Sequence, residues 1–165
     1  MARLFGLLAA TGFALTLVAL IISVAGYDLG SRFPGVWILV PLGALFFVPF
    51  VSCYNRTMGR RPTFRDIRTA FPGWVIALAI LVGVNAWVGA GIGFSRMPKD
   101  GVIDNQGGHY QIVNHGRLVH PISEAEYHRL EASMLEGMAN LLLPFYFLPA
   151  AYFLFRNKET EPGSA

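Results

Sequence analysis

The sequence predicts an all-α integral membrane protein: a four-transmembrane-helix bundle with a small β-hairpin-plus-helix cap outside the membrane, between spans three and four. Three observations carry that fold class. Long uncharged apolar runs recur four times, basic residues gather beside those runs, and one polar stretch between the last two runs alternates with the period of a strand. Of 165 residues, 54% are hydrophobic and only 14% charged, where soluble domains carry about 25% charged residues. Residues 1–165 therefore read as one membrane domain.

The first expected span is 4–26, uncharged and 23 residues long, or about 34 Å as a helix. Arg3 ahead of an apolar stretch has the look of a secretory signal. A signal core is only about 7–15 residues, so the length predicts a retained span. The second is 35–52, the third 73–94 and the fourth 138–155. Pro41 and Pro49 in the second and Pro144 and Pro149 in the fourth predict kinks or loosened turns.

Orientation follows from the loop at 53–72, which holds Arg56, Arg60, Arg61, Arg65 and Arg68 against one acid, Asp66. Lys and Arg accumulate in short cytoplasmic loops. The loop is thus expected inside, together with both termini, where Arg3, Arg156 and Lys158 agree. The expected location is a bacterial inner (plasma) membrane. The five loop arginines are candidates for contact with lipid headgroups. Within the loop, Thr63 and Asp66 have capping-box spacing, and Phe64, Ile67 and Phe71 fall on one helical face. That pattern predicts a short helix lying flat at the interface. Topology accounts for the net charge of +3, so nucleic acid is not an expected partner. The expected partners are the bilayer and either another membrane protein or a second copy.

The four expected spans contain no charged residue and no histidine. Intramembrane charges mark ion pathways and proton relays, so a channel, a proton-coupled exporter and a haem held between spans are disfavoured. Asn85 is a mid-span amide expected to bond a neighbouring helix. Small residues four apart, Ala79/Gly83, Ala86/Ala90 and Gly89/Gly93, allow close helix approach, within the chain or between copies. Cys53 is a lone cysteine, and Asn55 opens the sequon "NRT".

The outer segment, 95–137, opens with "SRMPKDGVIDNQGG", read as a polar linker or extended lead-in. A hairpin follows, with Asn114, His115 and Gly116 as a three-residue loop and Gly116 left-handed. In that register Val113 pairs with Arg117, Ile112 with Leu118, Gln111 with Val119 and Tyr110 with His120. One face holds Tyr110, Ile112, Leu118, His120 and Ile122; the other holds His109, Gln111, Val113, Arg117 and Val119. Next, "SEAEYHRLEASMLEGM" predicts a helix capped by Ser123 and Glu126, with Tyr127, Leu130 and Met134 as its apolar stripe, and this helix can run on into the fourth span.

All four histidines lie in this segment. As metal ligands, His109, His115, His120 and His128 lack both i, i+4 spacing and neighbouring cysteine, so no metal and no cofactor is expected. His120 is expected to pack on Tyr110. No positioned nucleophile or acid pair points to catalysis. The expectation is a non-enzymatic protein working by contact, an accessory subunit or interaction protein, with His109, Gln111, His115 and Arg117 as the contact candidates. The alternatives are an outer module that binds metal or senses pH through histidine, and a membrane enzyme on lipid-linked substrates whose phosphate meets the loop arginines.

Overall fold

The computed structural model describes residues 2–59 and 62–156. The expectations for Arg60, Arg61 and Lys158 lie outside the described residues. Among those described, four helical stretches are long and apolar enough to cross a membrane: Ala2–Val24, Pro34–Met58, Gly73–Ser95 and Glu124–Phe155. In chain order the elements are α1 (Ala2–Val24), α2 (Leu29–Arg32), a 3-10 turn (Pro34–Ile38), α3 (Leu39–Met58), α4 (Phe64–Ala70), α5 (Gly73–Ser95), β1 (Val102–Gln106), β2 (His109–Asn114), β3 (Arg117–Pro121) and α6 (Glu124–Phe155).

α6 is the axis of the bundle, and α1, α3 and α5 each pack on it. The α1 contact is made by a stripe of small residues at helical spacing: Gly6, Ala9, Gly12, Thr16, Ala19 and Ser23 are all buried. Gly12 lies against the Tyr146 ring and Gly6 against Leu154, so backbone approaches side chain directly, as small residues allow. Thr16 and Ser23 donate to the carbonyls of Gly12 and Ala19, at 2.8 and 2.9 Å, leaving no idle hydroxyl in the apolar contact. Leu20, Val75, Val82, Ala139, Leu143, Phe147 and Ala151 form the core where α1, α5 and α6 meet. On the other side Tyr146 is fully buried and donates to the Leu39 carbonyl at 2.6 Å.

α5 meets α6 through the expected small residues. Ala86, Ala90 and Gly93 are buried, Gly89 faces Asn140, and a Cβ on Gly93 would stand 2.6 Å from the Gly137 nitrogen. A Cβ on Gly83 would meet nothing within 4 Å, whereas Ala79 of the same pair packs against the core. Asn85 bonds Asn140 across the same interface at 2.8 Å, the interhelical amide expected of it.

α6 is 32 residues long and runs without a break through Pro144 and Pro149. Ser123 caps it by accepting from the Glu126 nitrogen at 3.2 Å. Pro34 sits in the first turn of the 3-10 segment, where its missing N–H costs nothing. α3 then continues to Met58, so Arg56 lies in a last helical turn rather than in a loop. Its charge there complements the helix C-terminus. The Thr63 hydroxyl and the Asp66 carboxylate complete the capping box of α4.

The segment between α5 and α6 departs most from expectation. It is a three-stranded antiparallel sheet in the order β1-β2-β3, not a two-stranded hairpin. The stretch read as a linker supplies β1, and its Gly107-Gly108 pair forms a tight turn with φ of 63° and 92°. A third strand suits the physics, because a lone hairpin is marginal in water. The second turn is shorter than expected: His115 and Gly116 both have positive φ, 50° and 76°, the requirement of a two-residue type I′ loop. Asn114 therefore pairs with Arg117 and Val113 with Leu118, and a bulge at Val119 lets Ile112 meet His120.

Candidate functional site at the sheet end

The register correction decides which residues face outward. A slip of one residue moves a side chain to the opposite face. Leu118 now shares the face of Val113, and Arg117 that of Asn114. The bulge restores the parity, so His120 stays with Ile112 as expected. Ile112 is 3% exposed, and Tyr110 stacks on Tyr127 of α6 with centroids 4.9 Å apart. That is the face turned to the bundle. On the other face, Val102, Val113 and Leu118 pair successively across all three strands. Val102 is 64% and Leu118 59% exposed. Asp104 and Gln111 form the next row, joined at 3.2 Å, and Gln106 and His109 the one after.

Of the contact candidates, His109 and Gln111 lie on this outward face. His115 is at the turn tip, 2.5 Å from the Asn114 side chain, and Arg117 is on the opposite face. The sheet thus brings together two of the four candidates and adds an apolar row that a three-residue loop would split. His120 does not pack on Tyr110; its Nδ1 stands 3.8 Å from Asp100, while Tyr110 takes Tyr127 as its neighbour.

Beneath the sheet lies a polar cluster the sequence did not announce. Asp28, at the N-cap of α2, is 6% exposed. It accepts from the Ser31 backbone at 3.0 Å, from the Ser31 hydroxyl, and from His128 Nδ1 of α6 at 2.5 Å. The other nitrogen of His128 stands 3.6 Å from Glu124, which in turn accepts from the Tyr110 hydroxyl at 3.3 Å. One turn further along α6, Glu131 accepts from Tyr127 at 3.1 Å. Its second oxygen is buried without a hydrogen bond, against Gly30. These groups precede the apolar part of α6, which begins at Met138.

The two acids are tuned in opposite directions. Burial pushes the Asp28 carboxyl up, but hydrogen bonds from Ser31 and the His128 contact outweigh it and hold the group below its usual range. Burial pushes Glu131 up; the Tyr127 bond opposes this, and the Asp28 charge adds to it. Tyr127 is driven to about 12 by burial and by Glu131. The cluster therefore holds an ionised acid beside one biased toward its proton. Ser31, Asp28 and His128 are the residue types of a hydrolytic triad in the wrong order: Asp28 stands between the other two, so His128 cannot activate Ser31.

Among the described residues no three His, Cys, Asp or Glu side chains gather into a metal-ligand set. His109, His115 and His120 stand apart, and His128 is engaged by Asp28. Arg96, the C-cap of α5, pairs with the buried Glu136 at 2.6 Å, a second polar tie at this end. At the opposite end Arg56, Arg65 and Arg68 are exposed.

No sequence pattern pairs Asp28 with His128, since they are 100 residues apart. The legible signal was Asp28 three residues before Ser31 at the start of a short helix, an N-cap pattern. Comparison with protein-family models, with curated proteins and with solved structures gave no match.

Proposed function

We propose that this is an integral membrane protein that works by contact, presenting the outward face of its sheet to a partner in or on the same membrane. In this reading α1, the α3 stretch, α5 and α6 cross the bilayer, the arginine-rich end is cytoplasmic, and the sheet projects outside. Arg56 in the last turn of α3 and the four arginines between α3 and α5 support the orientation. The membrane is a bacterial inner (plasma) membrane, and the partner is a membrane protein or a second copy of this chain.

One observation carries the contact reading: the apolar row Val102–Val113–Leu118 runs across a face that the bundle leaves open, flanked by His109 and Gln111. Contiguous apolar surface rimmed by polar groups is typical of interaction sites. The test is Leu118→Asp. The side chain is exposed, so the fold should persist, while the partner should be lost from the protein purified in mild detergent. Retention of the same partner at the same stoichiometry would contradict the reading.

A further inference from the structure

At the basic end, α3 and α5 diverge on one side of α6. They leave an open apolar hollow of about 500 Å³, lined among others by Phe50, Tyr54, Ile67, Ala79 and Leu148. Its volume is in the range of small-molecule sites, about 300–1,000 Å³. α4 contributes Ile67 to this hollow while Arg65 and Arg68 of the same helix remain exposed. The hollow is bounded by Tyr152, which also lines a second hollow of about 280 Å³ together with Cys53, Arg56, Thr57 and Arg156.

Tyr152 is held in a fixed position between the two. Its hydroxyl accepts from Arg156 at 2.6 Å, meets Thr57 at 3.0 Å and donates to the Cys53 carbonyl at 3.2 Å. The Arg156 guanidinium also lies 5.2 Å from the ring centroid, cation–π distance. An apolar slot therefore abuts a hollow carrying two guanidinium groups, at the level where the apolar helices end.

We infer that this is a binding site for one anionic phospholipid of the leaflet at the basic end, with an acyl chain between α3 and α5 and the phosphate at Arg56 and Arg156 beside Tyr152. The chemistry matches on both counts: a hydrocarbon chain fills the slot, and arginine forks bind phosphate oxygens in pairs. The inference rests on the membrane reading above and adds to it a defined site in place of general headgroup contact.

The full-length protein, extracted from membranes in mild detergent, is mixed with phosphatidylglycerol or phosphatidylcholine and examined by native mass spectrometry. The expected result is a one-to-one adduct at least five-fold more abundant with phosphatidylglycerol. The double variant Arg56→Gln, Arg156→Gln should reduce that adduct to the phosphatidylcholine level, and Ala79→Trp, which fills the slot, should remove both adducts. A reading on the unaltered protein guards against misfolded variants. Cys53 lines the smaller hollow, so phosphatidylglycerol should slow its alkylation at least three-fold, and phosphatidylcholine or inorganic phosphate should not. Equal adducts and equal alkylation rates with the two lipids would overturn the site. So would a dimer, in place of a lipid adduct, that Ala79→Trp dissociates. Failure of the chain to partition into membranes at all would instead sink the membrane reading.

Discussion

His128 Nδ1 lies 2.5 Å from Asp28 Oδ2, tying the short α2 helix to the N-terminal part of α6 across 100 residues of chain. Asp28 is buried and is also the N-cap of α2. Asn serves nearly as well as Asp at an N-cap, so Asp28→Asn isolates the loss of charge. A hydrogen bond to a charged partner contributes about 1.5–3 kcal/mol, and a loss of that order is expected in thermal unfolding of the detergent-solubilised protein. An unchanged midpoint would show that the contact contributes nothing. Asp28 titrates below its ordinary value. Its contribution is therefore full above that ordinary value and is lost as pH falls through the lowered one.

Glu131 has the opposite sign. Its carboxyl is raised by burial, so its contribution is full below the ordinary value of 4.5 and is lost as pH rises through the raised value. Glu131→Gln removes this one titration while keeping an acceptor for Tyr127. The midpoint difference between variant and parent should therefore shift in the variant's favour on going from pH 4.5 to pH 8. A difference independent of pH would show that Glu131 does not sit charged and half-satisfied in the folded protein.

Helix packing gives a paired test on α5. A side chain at Gly93 would meet the backbone of Gly137, whereas one at Gly83 would meet nothing. Overpacking costs about 1–3 kcal/mol, so Gly93→Val should lower the unfolding midpoint and Gly83→Val should leave it nearly unchanged in the monomer. Equal effects would mean that α5 and α6 do not approach at Gly93.

The second sheet turn gives another pair. Gly116→Val should cost on the order of 1 kcal/mol, because a Cβ is disfavoured at φ of 76°. His115→Gly relieves the same penalty at φ of 50° and should make the sheet more resistant to protease. Both variants leave the apolar helices untouched. If His115→Gly loosens the sheet, the two-residue turn is wrong.

The four long helices, the α4 capping box, the close approach of α5 to α6 and the Asn85 contact were legible because each is local or periodic: uninterrupted apolar runs, an S/T-x-x-D/E spacing, small residues four apart. The small-residue stripe of α1 is equally periodic, but it is diluted among Leu and Val in an apolar run. β1 is hidden because its two apolar residues, Val102 and Ile103, are adjacent and three polar ones follow, so it shows no alternation after a turn-rich lead-in; the Gly-Gly pair at 107–108 is the sign that a strand precedes it. The register failed by one residue because "NHG" fits both a two- and a three-residue loop, and only the ladder decides between them. The Asp28–His128 pair depends on where α2 docks, which no local pattern encodes.

Orientation has its own check. With the basic end cytoplasmic, Asn55 in α3 stays unmodified in a glycosylating host. A cysteine placed at position 60 in a Cys53→Ser background then resists membrane-impermeant maleimide in intact cells. Rapid labelling there would invert the topology.

The contact face is tested most directly by a photoreactive residue at Val102, at one end of the exposed apolar row, with the protein in its native membrane. The expected result is one discrete adduct that disappears when Leu118→Asp is added, while the same probe at Arg117, on the other face of the sheet, gives none. Adducts of equal yield at Val102 and Arg117, or an adduct at Val102 indifferent to Leu118→Asp, would contradict a protein that works through this face.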